Sequence, residues 1–201
     1  AGNILGAEQS GHVHAVGFDL YTRLLSEAVQ DLRREPGAAP APAPSADPLI
    51  DLDVPASIPD DLVEHLPSRM AIYQRLAKAR TAADVDDAAQ ELRDRFGRRL
   101  PDEVHNLLFG LRVSVLAREA GVEAVTRRGG EITLKLPHPV GGARIALEKA
   151  LSNGAQVGHQ QIRLPANSAS ALPWGRALLE ALTALADFQR HAAELATAGA
   201  R

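Results

Sequence analysis

Apolar residues recur at three- and four-residue steps in five stretches, each the mark of one buried helix face. The first carries Phe18, Tyr21, Leu24, Leu25, Ala28 and Leu32 and is expected to run to about Arg34. The second opens at Pro67 and Ser68 and carries Ile72, Tyr73, Leu76 and Ala79. Proline suits a first helical turn because the N–H it lacks would be unpaired there. The third starts at Thr81, whose spacing to Asp84 is that of an N-terminal cap, and turns Val85, Ala88, Ala89, Leu92 and Phe96 inward up to Gly97. The fourth follows Pro101 with Val104, Leu107, Leu108, Leu111 and Val115 and ends at Gly121. Gly110 lies inside it, where glycine is unfavourable, and is expected to mark a close helix crossing. The fifth, after Pro173, carries Trp174, Leu178, Leu182, Leu185, Phe188 and Leu195.

Strand patterns separate these helices. Leu49, Ile50, Leu52 and Val54, interrupted by Asp51 and Asp53, predict a short strand that Pro55 and Pro59 end. Val122–Arg127 and Glu131–Leu136 flank Gly129-Gly130, a hairpin signal. Arg144–Leu151 predicts a short helix and Gln161–Leu164 a strand. The expected fold is α+β, with helices packed on a small, mostly antiparallel sheet. Between the first helix and the rest lies Glu35-Pro-Gly-Ala-Ala-Pro-Ala-Pro-Ala-Pro-Ser-Ala-Asp-Pro48. Such proline spacing blocks helix and favours an extended strut. The division expected is 1–35, a linker at 36–48, and a domain at 49–201.

Composition narrows the function. The formal net charge of −3 gives no overall bias towards nucleic acid or a lipid surface. Without cysteine the chain has no disulfide or thiolate metal site. No apolar run nears the roughly twenty residues that span a bilayer, and no leader is visible, so a cytoplasmic location without membrane contact is expected. His12 and His14 are close, but the remaining histidines are scattered, and no metal site is expected. No phosphate-cradling G-x-x-x-x-G-K-[ST] and no dinucleotide fingerprint occur; Gly141-Gly142-Ala143-Arg144 lacks the lysine and hydroxyl. Ser10 and His12 have no accompanying Gly-x-Ser-x-Gly turn or placed acid, so they are no hydrolase pair. No enzymatic activity is expected of this stretch by itself.

Two constellations remain. Gly2, Gly6, Gly11 and Gly17 punctuate a polar segment with Glu8, Gln9, Ser10 and His12 ahead of the first helix. Read from the residues, this is a glycine-rich connector. The string Gly6-Ala7-Glu8-Gln9-Ser10-Gly11-His12, followed by Val16-Gly17-Phe18-Asp19-Leu20-Tyr21, resembles the helical hook that closes the motor of bacterial transcription-repair coupling factor, related to that of the branch-migrating helicase RecG. The resemblance implies that Gly6, Gln9, Ser10, Gly11 and His12 belong to a motif coupling ATP hydrolysis to movement along duplex DNA. In that family an arginine precedes the Ala-Gly pair; the sequence starts at Ala1, so the hook is expected to be incomplete, with Gln9 as the matching polar residue.

The other constellation is Asp84–Gly97. Glu91, Asp94 and Arg95 are neighbours on one helix surface, outside the apolar stripe. From chemistry alone they form an exposed local ion-pair network. Glu91-Leu92-Arg93-Asp94-Arg95-Phe96-Gly97, then Leu100-Pro101, resembles a signature of the coupling factor's C-terminal domain; Ile58-Pro59-Asp60-Asp61, Tyr73-Gln74-Arg75-Leu76-Ala77 and Leu116-Ala117-Arg118-Glu119-Ala120-Gly121 fit the same pattern. The likeness covers about 49–136 and fades after His138.

The resemblance implies a regulatory domain that folds onto the UvrA-binding module of the same protein and masks it until stalled RNA polymerase is engaged. It gives Glu91, Asp94 and Arg95 to that clamp. The implied parent is an ATP-driven translocase on duplex DNA that removes stalled polymerase at lesions and recruits excision repair through UvrA. ATP and magnesium belong to that parent, and no cofactor is expected in this stretch. Two other readings stay open: a stand-alone interaction domain in repair or transcription using the 84–99 face, and direct DNA binding through Arg93, Arg95, Arg98 and Arg99.

Overall fold

The computed structural model describes residues 47–151, 154–166 and 171–198. Gly6, Gln9, Ser10, Gly11, His12, the first expected helix and most of the proline-rich linker lie outside them.

Along the described chain, β1 (Leu49–Asp51) comes first, then three helices, α1 (Leu66–Leu76), α2 (Ala82–Phe96) and α3 (Asp102–Glu119). The hairpin β2 (Ala124–Arg128) and β3 (Glu131–Lys135) follows. A single 3-10 turn then leads into α4 (Arg144–Ala150), β4 (Gln156–Val157), β5 (Gln161–Pro165) and the long α5 (Ala171–Ala198). The chain divides into two units, one comprising Val54–Leu111 and the other joining β1 to everything from Arg112 onward.

In the first unit, α1 has Pro67 in its opening turn and buries Ile72 and Leu76. The Thr81 side chain accepts from the Asp84 N–H at 3.1 Å, and the Asp84 carboxylate accepts from the N–H groups of Thr81 and Arg80, each at 2.8 Å. That reciprocal box starts α2 where the spacing predicts, because it satisfies donors the helix leaves open. Val85, Ala88, Ala89 and Leu92 are its buried face. Phe96, expected inward, is only half-buried, and the Arg95 guanidinium lies over its ring. α3 begins on the Pro101 carbonyl, which accepts from Val104 and His105. Gly110 marks no close crossing: apart from its own stretch of helix, no heavy atom of a described residue stands within 4 Å of where a Cβ would be.

α3 ends in a Schellman arrangement. Gly121, at φ 59°, lets Val122 N–H reach the Ala117 carbonyl at 2.8 Å while its own N–H reaches Arg118 at 3.1 Å.

The second unit is built on a five-stranded sheet in the order β1-β2-β3-β5-β4. β1 is parallel to β2; every other pair is antiparallel. The expected α+β class with a mostly antiparallel sheet is what forms. Gly129 and Gly130, at φ 55° and 82°, supply the two positive φ values that a two-residue hairpin turn requires. Register places Ile50, Val125, Leu134, Ile162 and Val157 in one row across the sheet. Four of these are buried and Ile50 is partly so, which makes this the core face. Trp174, Leu178, Ala181, Leu182 and Leu185 of α5 are buried, and α5 packs against β5 and α4.

Arg127 falls on the core face, two register positions from Val125 and opposite Ile132. Its guanidinium lies 4.7 Å from the centre of the buried Trp174 ring, which faces the charge with π-electron density.

β4 is the strand the sequence pattern did not predict. At two residues it is too short to show alternation, and only pairing with β5 defines it. Both sheet edges are thus very short, which protects them from pairing with other chains.

Candidate functional site

The site is assembled in the first unit, where α1 and α2 leave a small depression lined by Ile72, Arg75, Leu76, Ala88, Glu91, Leu92 and Arg95. The apolar floor is the buried stripe of the two helices. The charged rim arises because Arg75 and Glu91 each immediately precede a buried leucine, so their side chains emerge at the margin of the stripe. There Arg75 Nη2 and Glu91 Oε2 meet at 2.7 Å. Both side chains remain well exposed, at 66% and 42%.

Of the three predicted site residues, Glu91 and Arg95 therefore line one depression, and Asp94 stands outside its lining. The expected local ion-pair network among them does not form among the described residues. Glu91 is taken by Arg75 from the neighbouring helix, Asp94 accepts from Gln90 Nε2 at 2.8 Å, and Arg95 stacks on Phe96 with 5.1 Å to the ring centre. Helical spacing puts the three side by side, but it does not fix which neighbour each selects. Arg93 donates to Gln90 Oε1 at 3.4 Å. Arg75 stood inside a recognised motif without a role; its position one residue before a buried leucine was the available signal.

The Ile58–Asp61 and Tyr73–Ala77 motifs hold this surface in place. The Ile58 N–H donates to the Tyr73 hydroxyl at 2.7 Å, and Ile58 itself is 3% exposed. Burial is the main force raising the Tyr73 pKa above its ordinary value. Asp60 pairs with Arg69, which also donates to the Val63 carbonyl at 3.2 Å. The Ile58–Asp61 stretch is thereby clamped to α1, and α1 to α2 through Arg75–Glu91. In the second unit, Arg118 donates through Nε and Nη2 to Asp47, at 3.0 and 2.6 Å. Arg128 pairs with Asp51, whose carboxyl is held below its ordinary value first by the Arg128 hydrogen bonds, against the opposing effect of burial.

Chemically, the depression offers apolar contact framed by charge. It brings together no nucleophile with a base, and among the described residues no three His, Cys, Asp or Glu side chains gather as a metal would need. No described helix is long and apolar enough to cross a membrane. An apolar floor with a polar rim is the usual anatomy of a protein-docking surface.

The TRCF domain family model matches residues 52–140. The transcription-repair-coupling factor of Haemophilus influenzae is 44% identical over 110 residues, covering 54% of this chain and 9% of that protein. That of Mycobacterium bovis is 41% identical over 133 residues, covering 63% and 11%. That of Escherichia coli K12 is 35% identical over 136 residues, covering 66% and 12%. The chain thus spans roughly a tenth of the length of these relatives. Among solved structures, a crystal structure of the C-terminal domain of transcription-repair coupling factor superposes with a TM-score of 0.60 at 21% identity, covering 72% of this chain and 96% of that one. At that identity the superposition speaks for the fold. The matched residues contain the motifs that build the α1–α2 surface, and over them the chain is similar to the transcription-repair coupling factors.

Proposed function

We propose that this chain is a regulatory part of an ATP-driven translocase on duplex DNA, and that its α1–α2 surface docks on the UvrA-binding module of the same protein. In this reading residues 49–201 form the masking domain, 36–48 the tether, and 1–35 the end of the motor. Gly6, Gln9, Ser10, Gly11 and His12 belong to the coupling hook. ATP and magnesium act in the motor, and RNA polymerase and DNA are met through the parent protein.

The observation that supports docking is the Arg75–Glu91 pair standing over the apolar floor of Ile72, Leu76, Ala88 and Leu92. A contact that must release should be polar and moderate in area, because tethering already gives it a high effective concentration. Charged side chains such as Glu91, Asp94 and Arg95 contribute orientation and partner choice more than affinity.

Masking is tested by competition. The UvrA-binding module is immobilised, UvrA is supplied at a fixed concentration, and this chain is added in excess. UvrA capture should fall as the chain saturates the module. Undiminished capture at saturation would reject masking and leave a separate interaction domain with another partner.

A further inference from the structure

The arginines of the described chain fall into two groups. Those outside α2 and the loop that follows it are engaged. Most hold a carboxylate, Arg127 lies over Trp174, and Arg80 and Arg112 have contacts of their own. Arg93, Arg95, Arg98 and Arg99 are different. Among the described residues none of them has a carboxylate partner. Asp94, the one acid within their stretch, accepts instead from Gln90. Arg95, Arg98 and Arg99 are exposed, and the helix stops at Gly97, at φ 97°, so the last two lie in the loop beyond it. Among the described residues, the guanidinium groups without a carboxylate are thus concentrated at one helix end, in a protein whose net charge is −3.

We propose that this end of α2 is a contact site for the phosphate backbone of duplex DNA, without sequence preference. Guanidinium groups match phosphate oxygens in fork geometry and stay charged at any working pH. Phosphate contacts of this kind position a protein on a duplex without reading bases. The surroundings favour a duplex over single strands: the ring present, Phe96, is half-buried beneath Arg95, so it offers no open face for a base. They also favour phosphate over an acidic protein segment, because Arg98 and Arg99 lie outside the lining of the apolar depression that would anchor such a segment. The proposal rests on Arg98 and Arg99, to which the docking reading gives no role; Arg95 lines the docking depression and is shared between the two surfaces.

The test uses the whole chain and a fluorescent duplex of mixed sequence, titrated by anisotropy across a salt series, with wild type beside R98A/R99A. Melting curves of the two proteins establish equal folding, since both side chains are exposed. Wild type should bind in the range of roughly 10⁻⁴ to 10⁻⁶ M, with a log–log salt slope of about −2 to −4, the upper magnitude corresponding to four phosphate contacts. R98A/R99A should weaken binding roughly tenfold at low salt and flatten the slope by about two. Equal binding by the variant, or no binding by wild type at low salt, would overturn the proposal. So would displacement by polyglutamate as effective as by unlabelled duplex at equal charge, which would assign the surface to acidic protein.

Discussion

Arg75 on α1 and Glu91 on α2 meet at 2.7 Å and join two sequence motifs across a helix pair. Both side chains are substantially solvent-exposed, so screening leaves the pair about 0–1 kcal/mol of stability. Glu91→Ala should therefore shift the melting temperature only slightly, while Glu91→Arg sets two guanidinium groups against each other and should cost more at low salt than at high salt. Thermal melts at two ionic strengths check this. A large, salt-insensitive loss in Glu91→Ala would make the residue structural rather than a surface contact.

Tyr73 is the opposite case. Its half-buried hydroxyl accepts the N–H of the buried Ile58, and Phe cannot replace it. Tyr73→Phe should cost about 1–3 kcal/mol by leaving that donor unpaired. Denaturant unfolding measures the loss, and amide exchange should localise it to Ile58.

Most of the fold was legible because the signals were local. Thr81 with Asp84, Gly97, Gly121 and Gly129-Gly130 fix where elements start and stop through their own backbone chemistry, and the structure uses each of them this way. What was not legible depends on partners distant in sequence. β4 exists only through β5. Arg127 looks like a solvent-facing strand residue until register puts it on the core face beneath Trp174. The same limit applies to the site. Helical spacing found the face of Glu91, Asp94 and Arg95, but the choice of Arg75 over Arg95 as partner for Glu91 depends on how α1 lies against α2.

Acid should loosen two specific places. Asp51 is held below its ordinary value of 3.8 first by hydrogen bonds from Arg128, and Asp84 below 3.8 first by the Arg80 and then the Thr81 backbone N–H. A folded-state pKa below the unfolded one contributes stability that is present above the unfolded value. It is lost as pH falls from about 3.8 through the lower folded values. Stability measured from neutral pH downward should drop in that window, and Asp51→Asn and Asp84→Asn should each flatten the drop. Unchanged acid sensitivity in both variants would contradict the assignment.

The hairpin gives a backbone test. Gly130 sits at φ 82°, which an L side chain adopts only with strain. Gly130→Ala should cost about 1–2 kcal/mol. Leu134→Ala, at a fully buried position in the middle of the core row, should cost about 2–5 kcal/mol. Chemical denaturation of both variants should preserve this order.

The central claim is that the α1–α2 surface docks on the UvrA-binding module. Its most direct test is calorimetric titration of the chain into that module, expressed separately from the same organism, with Glu91→Arg/Asp94→Arg as the paired variant. The account predicts saturable binding that the double reversal abolishes while the variant's far-ultraviolet circular dichroism remains that of the wild type. Binding of equal strength by the reversed chain would contradict it.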